Sequence, residues 1–432
     1  MSYGTPLIGV LRSSGWLLML MLLTHRAVNA QSVTAETHPV QAVVDEAALD
    51  EELEADGSLD DATDTIDLVT TDQGLSFYAD VRTSYVETEN DNRDGNTASD
   101  DYFRARWRAQ TTYNVTERMR FGARVAGLCS TRECEPNFTF DSSIPSSTGM
   151  NEGDITIDSL YLHRFRNERF DLAAGRLQTK FVARGGVFAK SLDRNDSNNT
   201  RVNWTDGIHG TFRANNGWVA HGILQYNSRS GPSNVRHDPL DFSDPDSRVT
   251  YYFGAENAEL RGHVVQRGIG ISYLPKSLMT DGTRDGRIDD YWGIVARYAA
   301  RWPQQSDGPR LRISSEVWYA PDTQTRAAAQ LPGDGDVDGW AWNLTASIMD
   351  FLPSHSIGLN YGRTDPGWLL SPQYTDNEEL LEIRYRWRRG PNFVVEIRAR
   401  QRKELEQRID TVRKRDRHDI YLRFSWGYSS NP

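Results

Sequence analysis

Two neighbouring stretches near the C-terminus decide the fold. Residues 381–388 read LEIRYRWR and residues 393–402 read FVVEIRARQR, with the short sequence RGPN between them. Apolar and polar residues alternate with a period of two, which is typical of β-strands because successive side chains leave a strand on opposite faces. The two stretches therefore predict a hairpin with one apolar, aromatic face and one face dominated by arginine.

An aromatic face next to an arginine face favours a membrane barrel. A soluble sheet would have to cover the aromatic face with a second layer, whereas in a transmembrane β-barrel that face meets lipid and the other face lines a polar interior. The mean hydropathy of −0.63 is compatible with this, because barrel strands are only half apolar. No run of about 20 apolar residues follows the N-terminal region, so no transmembrane helix is expected. We therefore predict an all-β fold, a transmembrane antiparallel β-barrel of about 16 strands.

The same alternation recurs along the chain. Outer-membrane barrels have short turns at one end, longer loops at the other and an even number of strands, and the joins between the predicted strands alternate in this way. The count places both termini on the periplasmic side. The pattern is weakest at 248–257, and it leaves open which faces of 155–165 and 169–178 point inward. The predicted strands are residues 75–86, 101–113, 118–128, 155–165, 169–178, 206–213, 217–226, 248–257, 263–274, 289–302, 310–320, 339–349, 355–363, 379–389, 392–403 and 417–428.

The N-terminal 73 residues differ from the rest. Residues 1–30 have a basic residue, Arg12, an apolar core and a small residue, Ala30, at the expected cleavage point, so they predict a signal peptide. Residues 31–73 contain thirteen acidic residues and no Lys or Arg, which predicts a disordered periplasmic leader. The barrel is assigned to residues 74–432.

Charge is balanced within the barrel segment. Of the 49 Lys and Arg residues two lie in the signal peptide, and of the 60 acidic residues thirteen lie in the leader, so 47 of each sign remain. Any charge selectivity must therefore come from where the charges sit rather than from their sum.

The sequence contains few candidate chemical motifs. Cys129 and Cys134 are the only cysteines, and in an oxidising compartment their spacing predicts a disulfide. Two unpaired thiols are the alternative, and the lack of a nearby His argues against a metal site.

Residues 334–339 read DGDVDG, like the start of a calcium loop, but Thr345 stands where the ligand Glu belongs, which favours an ordinary acidic loop. Scattered histidines and missing catalytic motifs predict neither an enzyme nor a cofactor.

Arginines on the predicted inward face are the candidate pore-lining residues. They are Arg104, Arg106, Arg108, Arg120, Arg124, Arg297, Arg384, Arg386, Arg388, Arg398, Arg400 and Arg402. The long join 179–205 is the candidate constriction, with Arg184, Lys190 and Arg194 as its basic residues, because a barrel this wide leaves a channel unless something folds inward. A loop on the outer surface is the alternative. The arginines would lack a transport role if they only paired with inward glutamates and filled the barrel.

Several of these strands resemble those of a known family. Residues 103–106 (FRAR), 172–177 (LAAGRL) and 421–428 (YLRFSWGY) make residues 75–432 similar to a Gram-negative outer-membrane porin of the phosphate-selective type. The resemblance implies an arginine-lined pore, a homotrimer and insertion by the barrel-assembly machinery, with Tyr428 as the last aromatic residue. The lysine-rich loop of that subgroup has no evident counterpart, so the resemblance does not name phosphate as the solute.

These observations predict a passive porin of the cell outer membrane. Rings of arginine in a channel lower the barrier for anions, so the expected partners are outer-membrane lipid and small anionic solutes. Nucleic acid is not expected, because the basic and aromatic residues lie on opposite strand faces. The alternatives are an export barrel for an alginate-like polyanion and a plugged structural or enzymatic barrel.

Overall fold

The computed structural model describes ten stretches of the chain. They are residues 74–138, 152–167, 169–179, 181–192, 205–227, 240, 248–283, 286–303, 308–371 and 373–429. The predicted signal peptide, the predicted leader and Arg194 lie outside the described residues.

The described residues form nineteen β-strands, sixteen of which build one barrel. The strands are β1 (Leu75–Asp91), β2 (Thr97–Thr116), β3 (Met119–Ser130), β4 (Asn137–Phe138), β5 (Asp154–Asn167), β6 (Phe170–Leu177), β7 (Ala183–Arg184), β8 (Ala189–Lys190), β9 (Thr205–Arg213), β10 (Trp218–Asn227), β11 (Arg248–Asn257), β12 (Val264–Met279), β13 (Ile288–Trp302), β14 (Arg310–Tyr319), β15 (Trp340–Leu352), β16 (His355–Thr364), β17 (Glu378–Arg388), β18 (Phe393–Glu404) and β19 (Asp416–Ser429). The short strand β4 pairs in parallel with β5, and β7 pairs with β8.

The barrel closes through its first and last strands. Each barrel strand pairs antiparallel with the next barrel strand in the chain, and β19 pairs with β1 from Tyr78 opposite Ser429 to Asp91 opposite Asp416. Closure leaves no unpaired edge in the ring. Both ends of the described chain therefore lie where the barrel has its short turns. The predicted fold class is confirmed, and each of the sixteen predicted strands coincides with one barrel strand.

Side chains alternate between an apolar outer face and a polar inner face. On β17, Leu381 and Ile383 are 42% and 49% exposed, while Glu382 and Arg384 between them are fully buried. In a closed barrel the buried face points inward and the exposed apolar face points away from the barrel. An apolar belt of this extent is unfavourable in water and matches the hydrocarbon of a bilayer.

Strands extend further than predicted at the end with the longer joins. The strand β1 continues to Asp91 and β2 begins at Thr97, so the first predicted long loop is a short turn at residues 92–96. Thr88 is buried and Glu87 is exposed there, so the alternation of faces continues. Both faces are polar in this part of the strand. Hydrophobic periodicity therefore gives no signal, although the backbone pairing is unbroken.

A β-bulge explains why the faces of residues 155–165 were ambiguous. Arg124 pairs with Ser159 and the next residue, Val125, pairs with Ile157, so Asp158 is the extra residue. Asp158 and Ser159 are both buried although they are consecutive. A bulge of this kind shifts the side-chain period by one, and the sequence pattern alone does not reveal where that shift falls.

A glycine marks the next irregularity, on the neighbouring strand β6. Gly175 has φ +125°, and a Cβ at this position would lie 2.3 Å from the carbonyl oxygen of Leu160. Only glycine fits this backbone conformation and this close approach.

Two loop segments fold into the barrel. We call residues 181–192 the first inner segment and residues 365–371 the second inner segment. Trp368 of the second segment packs on the inward-facing Trp318 with ring centroids 4.0 Å apart, and the hydroxyl of Tyr291 donates to the carbonyl of Gly367 at 2.9 Å. Leu192 of the first segment belongs to the same buried apolar cluster. The interior therefore contains a packed apolar region that includes residues of β12, β13, β14, β15 and β17.

Among the described residues, none belongs to a helix that is long and apolar enough to cross a bilayer.

Candidate functional site

Five consecutive barrel strands, β17, β18, β19, β1 and β2, carry a concentration of buried arginine. Their inner faces, together with the residue just before β19, hold twelve buried arginines, which we call the arginine wall. These are Arg82, Arg104, Arg106, Arg108, Arg384, Arg386, Arg398, Arg400, Arg402, Arg415, Arg417 and Arg423. The period of two places them side by side, because every second residue of each strand points inward.

The buried carboxylates of these strands are half as numerous. They are Asp80, Glu378, Glu382, Glu396, Glu404 and Asp419. Elsewhere in the described part of the chain, histidine aside, the buried charges balance with four basic and four acidic residues. These are Arg124, Arg176, Lys190, Arg297, Asp154, Asp158, Asp171 and Glu316. The excess of six positive charges among the described buried residues therefore lies entirely on the arginine wall.

Besides Glu396, which lies between Arg384 and Arg423, three carboxylates of the wall each bridge two arginines that are two positions apart in the sequence. The bridged groups are Asp80 with Arg106 and Arg108, Asp419 with Arg398 and Arg400, and Glu378 with Arg415 and Arg417. In the second and third groups the nitrogen–oxygen distances range from 2.5 to 3.1 Å. Charge-assisted hydrogen bonds of this length fix the orientation of a guanidinium. Each bridged group holds two arginines in place and keeps one net positive charge.

Strand register explains why the bridging carboxylates are needed. Arg384 lies directly opposite Arg398 in the pairing of β17 with β18, and Arg82 lies opposite Arg106 in the pairing of β1 with β2. Like charges at directly opposed positions destabilise a sheet. The shared carboxylates lower this repulsion without cancelling the positive charge.

The first inner segment lies between the arginine wall and the opposite side of the barrel. On the wall side, Arg386 donates to the carbonyl of Gly186 at 2.7 Å, and the ammonium of Lys190 lies 2.8 Å from Glu382. On the other side, the backbone N–H of Leu192 donates to Glu316 at 2.8 Å. The segment is therefore held from both sides across the interior.

The second inner segment is joined to the first through its last residue, Ser371, and through Gln373 just beyond it. The side chain of Gln373 accepts a hydrogen bond from the backbone N–H of Ser191 at 2.9 Å, and Ser371 donates to the carbonyl of Ser191 at 2.7 Å. Arg402 of the wall donates to the carbonyl of Gln373 at 3.2 Å. The two inner segments and the arginine wall thus form one connected hydrogen-bond network.

Most of the predicted pore-lining residues, and Lys190 of the predicted constriction, are buried on the inside of the barrel, whereas Arg120, Arg388 and Arg184 are not. Arg120 is half-buried near the β2–β3 turn and donates to Asn114 at 3.0 Å. Arg388 is exposed at the last residue of β17, and Arg184 is exposed on the first inner segment. Arg194 lies outside the described residues. Arg124 and Arg297 are buried on other strands, paired with Asp158 and Glu316.

Four members of the arginine wall were absent from the prediction. Arg82, Arg417 and Arg423 lie on strands whose alternation is clear, so the same every-second-residue rule would have found them. Arg415 precedes its strand and gives no periodic signal. The second inner segment was also missed, although three consecutive apolar residues, Trp368 to Leu370, are unusual in a predicted polar loop.

Two smaller features complete the geometry. Cys129 and Cys134 form a disulfide with a Cα–Cα distance of 4.6 Å. Within the described stretches, no group of three or more His, Cys, Asp or Glu side chains is arranged to hold a metal ion.

Acidic residues line the turns at the barrel end opposite the termini. The backbone N–H of Asn96 lowers the pKa of the Asp94 carboxyl, and the backbone N–H of Thr283 does the same for Asp281. Both carboxyls are therefore ionised at neutral pH.

No protein-family model and no curated protein matches the sequence. Among solved structures, OprB of Pseudomonas putida is 10% identical with a TM-score of 0.52, covering 82% of this chain and 94% of that one. OccK8 (OprE) of Pseudomonas aeruginosa is 12% identical with a TM-score of 0.49, covering 84% and 100%. The outer membrane channel DcaP of Acinetobacter baumannii is 11% identical with a TM-score of 0.48, covering 82% and 96%. At this identity the likeness to OprB concerns the fold alone, which is that of an outer-membrane porin barrel.

Proposed function

We propose that this protein is a passive diffusion channel of the Gram-negative outer membrane that prefers small anions. The observation that carries the proposal is the arginine wall, which sets twelve buried arginines against six buried carboxylates on one side of a closed barrel. Fixed positive charge in a confined channel lowers the barrier for anions and raises it for cations. The wall can attract an anion without losing its structure, because the bridging carboxylates already hold the guanidinium groups.

Two features support an outer-membrane location, namely the outer face of the barrel and the predicted signal peptide. Exposed aromatic residues such as Trp340 and Trp426 lie on the outward-facing side of their strands, where a membrane interface stabilises amphipathic rings. The predicted signal peptide, with cleavage near Ala30, would deliver the chain across the inner membrane. Both features fit an outer-membrane barrel better than a soluble one.

The test is the reversal potential of the purified, folded protein in a planar bilayer under a salt gradient. We expect the sign for anion selectivity. Cation selectivity would overturn the proposed preference.

Two matched variants test whether the arginine wall causes the selectivity that the reversal potential reports. The triple variant Arg398→Gln, Arg400→Gln and Asp419→Asn removes one net positive charge without leaving an unpaired partner. It should reduce anion selectivity. The control, Arg176→Gln with Asp206→Asn, removes one charge of each sign and should leave selectivity unchanged.

A closed structural barrel is the second candidate, favoured by a different observation. The wall arginines are buried and ion-paired, and two inner segments pack inside the barrel. If the folded protein shows no conductance, this candidate replaces the first. Heat-modifiable migration in SDS gels would establish that the sample is folded.

A further inference from the structure

A basic patch lies on the outer face of the barrel, at the end with the short turns. Asn257, the last residue of β11, pairs with Trp218 of β10 on one side and with Arg267 of β12 on the other. Arg267 in turn pairs with Tyr298 of β13, which is 50% exposed on the outer face. Directly paired residues lie on the same face of a sheet. Arg267 therefore projects outward, close to the turn formed by residues 258–263.

Arg267 contacts an aromatic ring but no carboxylate. Its guanidinium lies over the ring of Trp218, 5.4 Å from the ring centroid. Within the described part of the chain no acidic side chain forms a salt bridge with Arg267, and its buried Nε has no hydrogen-bond partner. A cation–π contact orients the guanidinium plane. It leaves the N–H groups in that plane available to an anionic ligand.

A second arginine lies beside the first. The Nη2 of Arg261, in the turn, donates to the carbonyl of Asn216 at 3.4 Å, and the side chain of Asn257 donates to the same carbonyl at 3.0 Å. Because Asn257 is paired directly with Arg267, both arginines lie next to it. The acidic residue of the turn, Glu259, is 3.9 Å from Arg261, and both side chains are more than half exposed. Such a pair contributes little, so the patch keeps a net positive charge.

Aromatic residues place this patch at the level of lipid head groups. Trp302, at the same end of β13, is 38% exposed, and His263 stacks on it with ring centroids 5.2 Å apart. Tryptophan and tyrosine concentrate where the hydrocarbon of a membrane meets the head groups. At the other end of the outer face, Glu87 and Asp101 are exposed instead. In the orientation with periplasmic termini, the basic patch faces the inner leaflet, which consists of phospholipids.

We propose that Arg261 and Arg267, with Trp218 as a support for the second guanidinium, bind the phosphate of an anionic phospholipid of the inner leaflet. The inference rests on the proposed outer-membrane location and is independent of the selectivity of the channel. A guanidinium fork binds two phosphate oxygens at once. The net positive charge of the patch favours phosphatidylglycerol over phosphatidylethanolamine, because the ammonium of the latter cancels the charge of its phosphate.

The experiment is native mass spectrometry of the purified protein in detergent with added phosphatidylglycerol or phosphatidylethanolamine. It compares the unchanged protein with Arg261→Gln/Arg267→Gln and with the control Arg363→Gln. Arg363 is 49% exposed on the outer face at the opposite end of the barrel. Each basic residue near an anionic lipid surface contributes about five-fold to binding, so the double variant should bind phosphatidylglycerol roughly 30-fold more weakly. The control should bind it like the unchanged protein.

Three results would overturn the inference. The first is equal binding of phosphatidylglycerol by the unchanged protein and the double variant. The second is equal binding of both lipids by the unchanged protein. The third is displacement of phosphatidylglycerol by millimolar inorganic phosphate, which would assign the patch to a free anion rather than to a lipid head group.

Folding and conductance are measured on the same samples. Heat-modifiable migration in SDS gels establishes that each variant is folded. If the double variant does not fold, Arg267→Gln alone decides the question, because Arg267 has no salt bridge among the described residues to lose, and its binding should fall about five-fold. Lost lipid preference with anion-selective conductance retained would remove this inference and leave the channel. Retained lipid binding in a protein that does not conduct would overturn the proposed function and leave the lipid site.

Discussion

At the scale of single residues, the bridging carboxylates determine whether the interior can be both positive and stable. Asp80 lies between Arg106 and Arg108, and all three side chains are buried. A buried charge is tolerated when its partners satisfy it and is costly when they are removed. Asp80 was not singled out from the sequence, and its two partners depend on the register between β1 and β2, which periodicity does not give.

Replacing this carboxylate should weaken the fold. The variant Asp80→Asn leaves Arg106 and Arg108 without their shared negative charge, so we expect a loss of about 3–5 kcal/mol in the free energy of unfolding. Urea unfolding in lipid vesicles measures this. Glu117→Gln, on the exposed β2–β3 turn, is the control and should be neutral. Equal stabilities for the two variants would mean that the Asp80 bridge contributes nothing.

A second residue-scale prediction concerns the irregularity on β6. In Gly175→Ala the new methyl group would lie against the carbonyl of Leu160 at a positive φ, so we expect destabilisation of about 1–3 kcal/mol. The same unfolding assay applies. Gly210→Ala on the neighbouring β9, where the nearest atom is 3.7 Å away, should cost less than 1 kcal/mol. A Gly175→Ala protein as stable as the Gly210→Ala protein would contradict the steric argument.

At the scale of elements, period-two alternation was sufficient to find all sixteen barrel strands. It gave no usable signal where the side chains did not alternate regularly between an apolar and a polar face. At the ends of β1 and β2 both faces are polar, at Asp158 a bulge shifts the period, and the inner segments are not periodic at all. Residues 179–205 could be proposed as a constriction from their position in the chain, but the bond from Arg386 to Gly186 depends on a loop path that only the structure gives.

That bond should control how tightly the first inner segment is held. In Arg386→Gln the donor to Gly186 is lost, and a hydrogen bond from a charged donor is worth about 1.5–3 kcal/mol. Hydrogen exchange of residues 181–192, measured by mass spectrometry, should therefore become roughly 10- to 100-fold faster. Arg261→Gln, at an exposed turn between β11 and β12, is the control. Unchanged exchange in Arg386→Gln would show that other contacts alone hold the segment.

At the scale of the whole molecule, the relevant quantity is the distribution of charge rather than its total. The barrel segment contains equal numbers of basic and acidic residues, yet among the described buried residues the positive excess lies on the arginine wall. Alternation predicted the arginines of this wall in part. It did not give the register between neighbouring strands, which sets Arg82 opposite Arg106 and Arg384 opposite Arg398.

Because the positive charges of the wall belong to arginines, we can predict how selectivity depends on pH. Arginine keeps its charge at all physiological pH values, and ordinary carboxylates are ionised above about pH 5. If the arginine wall sets selectivity, the reversal potential under a fixed salt gradient should stay nearly constant from pH 6 to pH 9. A competing source of charge is the pair formed by His209 and His221, whose ring nitrogens are 3.1 Å apart beside Phe181 of the first inner segment. Selectivity set by this pair would instead differ between the unchanged protein and His209→Gln with His221→Gln. A flat profile in both proteins therefore assigns selectivity to the wall, whereas a histidine-dependent step would transfer that role to the opposite side of the barrel.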